Sequence, residues 1–418
     1  MVLEKKHGIF SSYGVENVVK YSCFDNPYGI DSYSVANTFV DRFVSGCGNC
    51  WRSGICFYVS CLWQRGIKCD TEQSKEKVIY GIGGECVNIE KVVQASKCRS
   101  CGYCFSVCPV NAIDMIYTDG FFRPAVNVSQ CVQCGKCVKN CPAENAFAEN
   151  GLLGSYVDLL LAHSSNRDVR HNATSGGVIN SLVRFLLKER IVDGILMAGY
   201  DDKSVNETNS QLITLDEMNI LEKRTRDFSS RYVLTPVLTG MRNIPERIKK
   251  LAVVGTACQI QALKLGGGKA DLDIFTIGIT CSGGMSYKAT EQYKKLQNMP
   301  MSKMFYRGDG WPGKNCLIFS DGKKLEYNHL GSLFERMFSS QIFKNPGCRG
   351  CRDHFAEQAE ISFCDFWNIE ERRTESEGNS CVIIRSKRAE EYFDKMLEAG
   401  FVEVARNLNE NEVVETQM

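Results

Sequence analysis

The 418-residue chain lacks an excess of either charge: 50 Lys and Arg against 49 Asp and Glu leave a formal net charge of +1. Near-neutrality excludes the basic footprint of a nucleic-acid-binding protein, and no basic run is long enough to suggest a membrane-surface segment. There is no stretch of roughly 18 apolar residues that would span a bilayer. The start, M-V-L-E-K-K-H-G, has no apolar signal-peptide core. The expectation is a soluble, cytoplasmic protein with no nucleic-acid partner and no direct membrane insertion. Also missing is a G-x-G-x-x-G that follows a strand pattern and precedes an acidic residue by about 20 positions, as a Rossmann nicotinamide site normally has. No acid–base dyad stands out.

Cysteine, by contrast, is abundant, with 22 in the chain. Eight fall into two runs, C-R-S-C-G-Y-C-F-S-V-C-P from Cys98 and C-V-Q-C-G-K-C-V-K-N-C-P from Cys131, a repeat of 33 residues. Each run is Cys-x2-Cys-x2-Cys-x3-Cys-Pro, the bacterial ferredoxin spacing for [4Fe-4S] clusters, in which the fourth cysteine ligates the other run's cluster. One cluster then takes Cys98, Cys101, Cys104 and Cys141; the other takes Cys131, Cys134, Cys137 and Cys108. Zinc sites usually close one tetrahedron with Cys-x2-Cys pairs rather than triplets with an outlying fourth, which disfavours zinc. Metal-bound thiolates in a reducing compartment fit the composition better than a disulfide framework.

Three segments follow from this anchor. Residues 1–92 form a cysteine-rich leader of poor periodicity, read as irregular with short helices, in which Cys47, Cys50, Cys56 and Cys61 are either a further metal site or buried free thiols. Residues 93–150 form an α+β two-cluster ferredoxin domain. Between its runs, A-I-D-M-I-Y-T-D-G-F-F-R-P-A-V alternates about a T-D-G turn, a hairpin signal. From residue 151 to 418 the cysteines thin out and strand and helix patterns alternate, which predicts an α/β catalytic domain with a mixed or parallel sheet. Predicted strands include S-Y-V-D-L-L-L-A-H, D-G-I-L-M-A-G-Y, K-L-A-V-V-G-T and L-D-I-F-T-I-G-I.

In that last segment Ala173-Thr174-Ser175-Gly176-Gly177 opens a helical pattern. A Gly-rich helix N-terminus offers free N–H groups to an anion such as a flavin phosphate, although Ser followed by Gly is also an ordinary helix start. Cys258 and Cys281 each stand just past the end of a predicted strand, and N-P-G-C-R-G-C-R-D adds Cys348 and Cys351 on a loop. Four thiolates suffice for a third cluster; a zinc site or unrelated buried cysteines are the alternatives.

The stretches A-T-S-G-G, S-R-Y-V-L-T-P, V-G-T-A-C-Q, G-I-T-C-S-G-G, Y-R-G-D-G-W-P-G, C-R-G-C-R-D, A-E-I-S-F-C-D-F-W and G-N-S-C-V-I-I-R occur in one order over roughly 250 residues. As a set they resemble the coenzyme F(420)-reducing hydrogenase and dehydrogenase beta-subunit family, which also includes 7-hydroxymethyl chlorophyll a reductase. The resemblance implies an FAD-binding domain with its own [4Fe-4S] cluster on Cys258, Cys281, Cys348 and Cys351. It implies flavin contacts at Thr174, Ser175, Gly176, Gly177, Ser230, Arg231, Tyr232, Gly255 and Thr256, with Arg307 and Trp311 near the site. An Arg packed on a Trp also has a plain role in shaping a loop. Cys364-Asp365 departs from the family's usual Gly-Asp. The activity implied is electron transfer between three clusters, FAD and a hydride carrier, coenzyme F(420), inside a complex with other redox subunits or with a soluble ferredoxin. A ferredoxin-linked reductase of another organic substrate, and a flavin-free electron-transfer adaptor, are the rival readings.

Overall fold

The computed structural model describes residues 88–147, 151–200, 208–268, 271–297 and 299–417. The leader cysteines Cys23, Cys47, Cys50, Cys56, Cys61, Cys69 and Cys86 lie outside the described residues, and with them the expected irregular fold and further metal site.

The cysteine runs sit on either side of an antiparallel hairpin, β1 (Ile113–Thr118) and β2 (Phe121–Val126). Its turn is the expected Asp-Gly pair, with Asp119 at φ 55° and Gly120 at φ 81°, the left-handed conformation that a two-residue hairpin of the primed type demands. The repeat seen in sequence is also a repeat of backbone. Ser100 and Gly102 have φ of 56° and 85°, and their counterparts Gln133 and Gly135 have 50° and 70°. In each run the glycine caps a short helix, Tyr103–Val107 or Lys136–Lys139, that carries the third cysteine. Ile89, Val92 and Ile113 bury themselves among Cys98 and Cys137, so this small core also draws on residues ahead of the first cysteine.

The larger part is built on eight strands: β3 (Asp158–Ser164), β4 (Gly194–Tyr200), β5 (Thr208–Thr214), β6 (Lys250–Thr256), β7 (Asp273–Ile279), β11 (Ile361–Asp365), β12 (Ser380–Ile384) and β13 (Val402–Asn407). They form a single sheet of order β13-β3-β12-β11-β7-β6-β4-β5. Four neighbours, β11, β7, β6 and β4, pair in parallel; β5, β12, β3 and β13 complete the sheet in antiparallel pairs. The sheet is therefore mixed. Its faces separate by alternation: Ala252 and Val254 of β6 join Leu182, Leu186 and Phe393 beneath the helices Val178–Lys188 and Lys387–Glu398. Leu251 and Val253 face the helix Ala257–Gly266 with Ala262 and Leu263. A strand that is covered on both faces needs apolar residues at successive positions, which is why K-L-A-V-V-G-T reads as a run rather than an alternation. A small sheet of β8 (Met301–Phe305), β9 (Lys314–Phe319) and β10 (Lys324–Asn328) packs its own aromatic core of Tyr293, Tyr306 and Phe334.

The hairpin unit is docked tightly on the sheet domain. Leu238 N donates to Cys101 O at 3.1 Å, and Tyr287 N donates to Gly120 O at 2.9 Å. Arg242 donates to Phe105 O and lies 3.2 Å from the centre of its ring. Tyr103 packs so closely under Gly266 that any side chain at Gly266 would collide with its hydroxyl.

Candidate active site and cysteine centres

The first cysteine group lines one void, whereas of the second only Cys137 and Cys131 are brought near one another. Cys98, Cys101, Cys104 and Cys141 line one small void together with Cys137, Tyr103 and Pro142. Burial pushes the Cys101 thiol up to about 12, with Cys141 adding to the effect, and burial and then Cys98 push Cys141 to about 11. Cys141 thus lies beside the first run's three cysteines, and Cys137 of the second run lines the same void. In the second run Cys137 is raised by burial and then by Cys131, while Cys134 is exposed. Among the described residues no three His, Cys, Asp or Glu side chains converge closely enough for a single metal ion. Four thiols around a void, three of which burial makes costly to ionise without a cation, fit a polynuclear centre.

The third group comes from three separate elements. Cys258 lies in the first turn of the helix Ala257–Gly266, which Thr256 and Gln259 close with a capping box. Cys281 follows β7 by two residues, and Cys348 ends the turn Pro346–Cys348, with Cys351 N bonded to Cys348 O at 3.2 Å. Burial raises Cys258, and after burial the strongest upward influences are Cys101, then Cys351 and Cys348; Cys281, raised to about 12, is pushed by burial, then Cys348, then Cys351. Cys348 and Cys351 thus act on both Cys258 and Cys281, and Cys101 of the hairpin unit acts on Cys258.

A cavity of about 490 Å³ opens where β6, β7 and β11 end, the edge at which parallel sheets gather ligands. Thr174, Ser175, Gly177, Ser230, Arg231, Tyr232, Gly255, Thr256 and Arg307 line it, as expected from the family motifs, and Cys281 lines it as well. Gly176 does not. A Cβ there would sit 2.7 Å from Ala162 O and 2.7 Å from Ser380 N, so its missing side chain lets the helix start approach β3 and β12 rather than a ligand. Trp311 is also absent from the lining, but Trp367 is present, 4.7 Å from the Trp311 ring.

Arg307 is both a loop-shaper and a wall of this cavity. It is 2 % exposed and spans Asp365, Thr174 O at 2.9 Å and Pro312 O at 3.2 Å, with Trp311 and Trp367 rings around it at 5.1 and 4.8 Å. Burial opposes its charge, yet Asp365 and Tyr232 hold its pKa above the usual range. Arg231 is different. Burial pushes its pKa down, its face lies 4.1 Å from the Tyr200 ring, and its Nε and Nη2 are buried with no hydrogen-bond partner. A buried guanidinium with two idle donors is costly, and a phosphate oxygen would satisfy both at once. Together with the free N–H groups of the helix Val178–Lys188, that fits a phosphate-bearing flavin.

His329 carries no signal in the sequence; it follows the exposed strand β10, where no periodicity marks it. Burial and then Arg307 lower its pKa to about 3, so at neutral pH it presents an uncharged ring, stacked on Tyr232 with Nε2 3.3 Å from the Tyr232 hydroxyl. An unfolded chain protonates the imidazole below about pH 6.5. Between that value and about 3 the unfolded state binds more protons, so stability falls as pH drops through this window. The expected slope is at most about 1.4 kcal/mol per pH unit from this group. Thermal unfolding at a series of pH values should show a steeper acid-side loss in the wild type than in His329→Gln; parallel curves would remove His329 from the account.

Residues 248–409 match the C-terminal part of the family described as coenzyme F(420) hydrogenase/dehydrogenase, beta subunit; residues 159–240 match its N-terminal part, and residues 97–145 match a 4Fe-4S dicluster domain. The class is that of iron–sulfur oxidoreductases. The chain belongs to the coenzyme F(420) hydrogenase/dehydrogenase beta-subunit family. It is 25% identical over 270 residues to the beta subunit of coenzyme F(420) hydrogenase from Methanosarcina barkeri, covering 61% of this chain and 84% of that one. It is 22% identical over 263 residues to the corresponding beta subunit from Methanococcus voltae, covering 60% and 84%. A chain of the F(420)-reducing [NiFe] hydrogenase complex from Methanosarcina barkeri matches with a TM-score of 0.47 at 22% identity, over 62% of this chain and 85% of that chain. Among the described residues no helix is long and apolar enough to cross a membrane.

Proposed function

We propose that this chain is an FAD-binding, three-cluster iron–sulfur subunit that passes electrons between the hairpin unit's clusters and a hydride carrier, coenzyme F(420), within a larger redox complex. The observation that carries the reading is Cys281, which lines the same cavity as the idle donors of Arg231. One wall thus serves both a cysteine centre and an anion-binding pocket. Bound FAD would supply the exchange between single electrons and a hydride. The chain's own part is placement. Arg231, with Nε and Nη2 unpartnered, would hold an anionic group of the flavin, and Gly255 and Thr256 on the same lining would offer it backbone. Arg307, its charge balanced by Asp365, holds Thr174 and the Trp367 side of the pocket in position. Neutral His329, stacked on Tyr232, adds no charge to the lining.

Heat release should yield FAD from anaerobically purified protein, and iron analysis should give about twelve irons per chain from the described clusters. Arg231→Met should lower retained flavin by about tenfold or more, since charge-assisted hydrogen bonds are worth roughly 1.5–3 kcal/mol each, while iron stays unchanged. Protein reduced with dithionite would then be offered oxidised coenzyme F(420), NAD and NADP in turn. Bleaching of the deazaflavin that Arg231→Met abolishes is the expected result. Turnover only with a nicotinamide overturns the carrier, turnover with none of the three favours a ferredoxin-linked reductase of another substrate, and absence of flavin favours the electron-transfer adaptor.

A further inference from the structure

Two cysteine loops meet across one side chain. Arg99, in the first loop between Cys98 and Cys101, is 9 % exposed. Its Nε donates to Gly347 O at 3.2 Å and its Nη2 to Gly350 O at 3.3 Å. Those carbonyls belong to the residues immediately before Cys348 and Cys351. The guanidinium is therefore tied into the third cysteine group while its backbone is part of the first. Among the described residues no carboxylate pairs with it.

The surroundings are built to keep it there. Asn345 is fully buried; its Nδ2 donates to Cys98 O at 3.1 Å, and its Oδ1 accepts from Gly347 N at 3.0 Å and from Arg123 Nη2 at 3.0 Å. Arg123 also donates to Cys98 O.

We propose that Arg99 is an electrostatic coupler: a positioning residue whose unpaired charge, held between the first ferredoxin-type cluster and the C-terminal cluster, raises the reduction potential of both. The inference rests on the cluster assignments proposed above. In the step concerned, one electron leaves the first centre, which is oxidised by one, and enters the C-terminal centre, which is reduced by one; no proton or ligand moves. Each reduced centre carries one more negative charge, and a fixed cation in a dry contact stabilises that charge. Sharing one cation keeps the two potentials moving together and the transfer reversible in either direction. Of the second ferredoxin-type centre's proposed ligands, Cys137 alone lines the void that Arg99 also lines, so that centre takes a smaller share of this influence.

The test is a redox titration of the full chain, followed by low-temperature EPR, for wild type, Arg99→Gln and Arg99→Lys. It needs neither flavin nor substrate. In Arg99→Gln, the signals of the first and C-terminal clusters should shift down until about tenfold less of each is reduced at a fixed potential, ~59 mV for a one-electron couple. The second-run cluster should move clearly less than either. Arg99→Lys keeps the charge and should retain both potentials. No shift in the Gln variant, an equal shift of all three signals, or a Lys variant that shifts as far as Gln would each overturn the proposal. If Arg99→Gln loses iron, the Lys variant decides: full iron with wild-type potentials supports the coupler, and iron loss there too assigns Arg99 a purely structural role. A wild type that holds only two clusters would instead sink the cluster assignment itself.

Discussion

Cys141→Ala should empty the first cluster, not the second, although Cys141 belongs to the second run in sequence. Its thiol lines the void shared by Cys98, Cys101 and Cys104, and Cys98 is the neighbour that most raises it after burial. Iron content should fall by about four per chain, with the signal of the second-run centre retained. The consequence reaches further than one centre. On the proposed assignment Cys101 is the hairpin-unit thiol beside Cys258, so losing the first centre would remove the link between the second-run centre and the C-terminal group. Reduction of bound flavin by an external one-electron donor should slow by about a hundredfold or more, equivalent to roughly 2.7 kcal/mol in activation free energy, while iron at Cys258, Cys281, Cys348 and Cys351 persists. Loss confined to the second-run signal would refute crossed ligation. An undiminished flavin reduction rate would refute the order of centres.

What the sequence made legible follows from how local each constraint is. The cluster cysteines are set by spacings of three or four residues, so the two runs and their 33-residue repeat stand out, and the matched left-handed residues Ser100 and Gln133 show the same repeat in backbone. The buried strands β6 and β7 were equally plain, because a strand with helices on both faces must be apolar throughout. The antiparallel flanks of the sheet were not. That β12, beside β11, pairs on its other side with β3 joins segments more than 200 residues apart, Ser380 with Ala162, which local pattern does not encode. Gly176 shows a subtler limit. A glycine-rich turn signals a close approach, but only the fold reveals that the approaching group is the backbone of β3 and β12. Arg99 was invisible for the same reason: its partners lie 248 and 251 residues away.

The contact between the two cysteine loops makes Gly347 the position at which one methyl group should do most damage. A Cβ there would lie 2.5 Å from Cys98 O and nearer still to Lys97 O. Both are backbone atoms of the first cysteine loop, which Asn345 and Arg123 also hold, so neither can give way cheaply. Gly347→Ala must therefore push the loops apart, breaking the Arg99 bond to Gly347 O, at a cost of about 1–3 kcal/mol for an overpacked site. Gly350, three residues on, has no atom within 4 Å of its would-be Cβ and supplies the matched control. Both variants should keep full iron, because neither glycine contributes a thiol. In stopped-flow reduction, the hairpin unit's clusters should fill at wild-type rates in both. The C-terminal cluster and flavin should follow at least about tenfold more slowly in Gly347→Ala, roughly 1.4 kcal/mol in activation free energy, and normally in Gly350→Ala. Equal behaviour of the two variants would mean that electrons do not cross at this contact. A Gly347→Ala chain that slows and also becomes cleavable by protease between the hairpin unit and the sheet domain would show that the same few ångströms of backbone serve docking and electron transfer together.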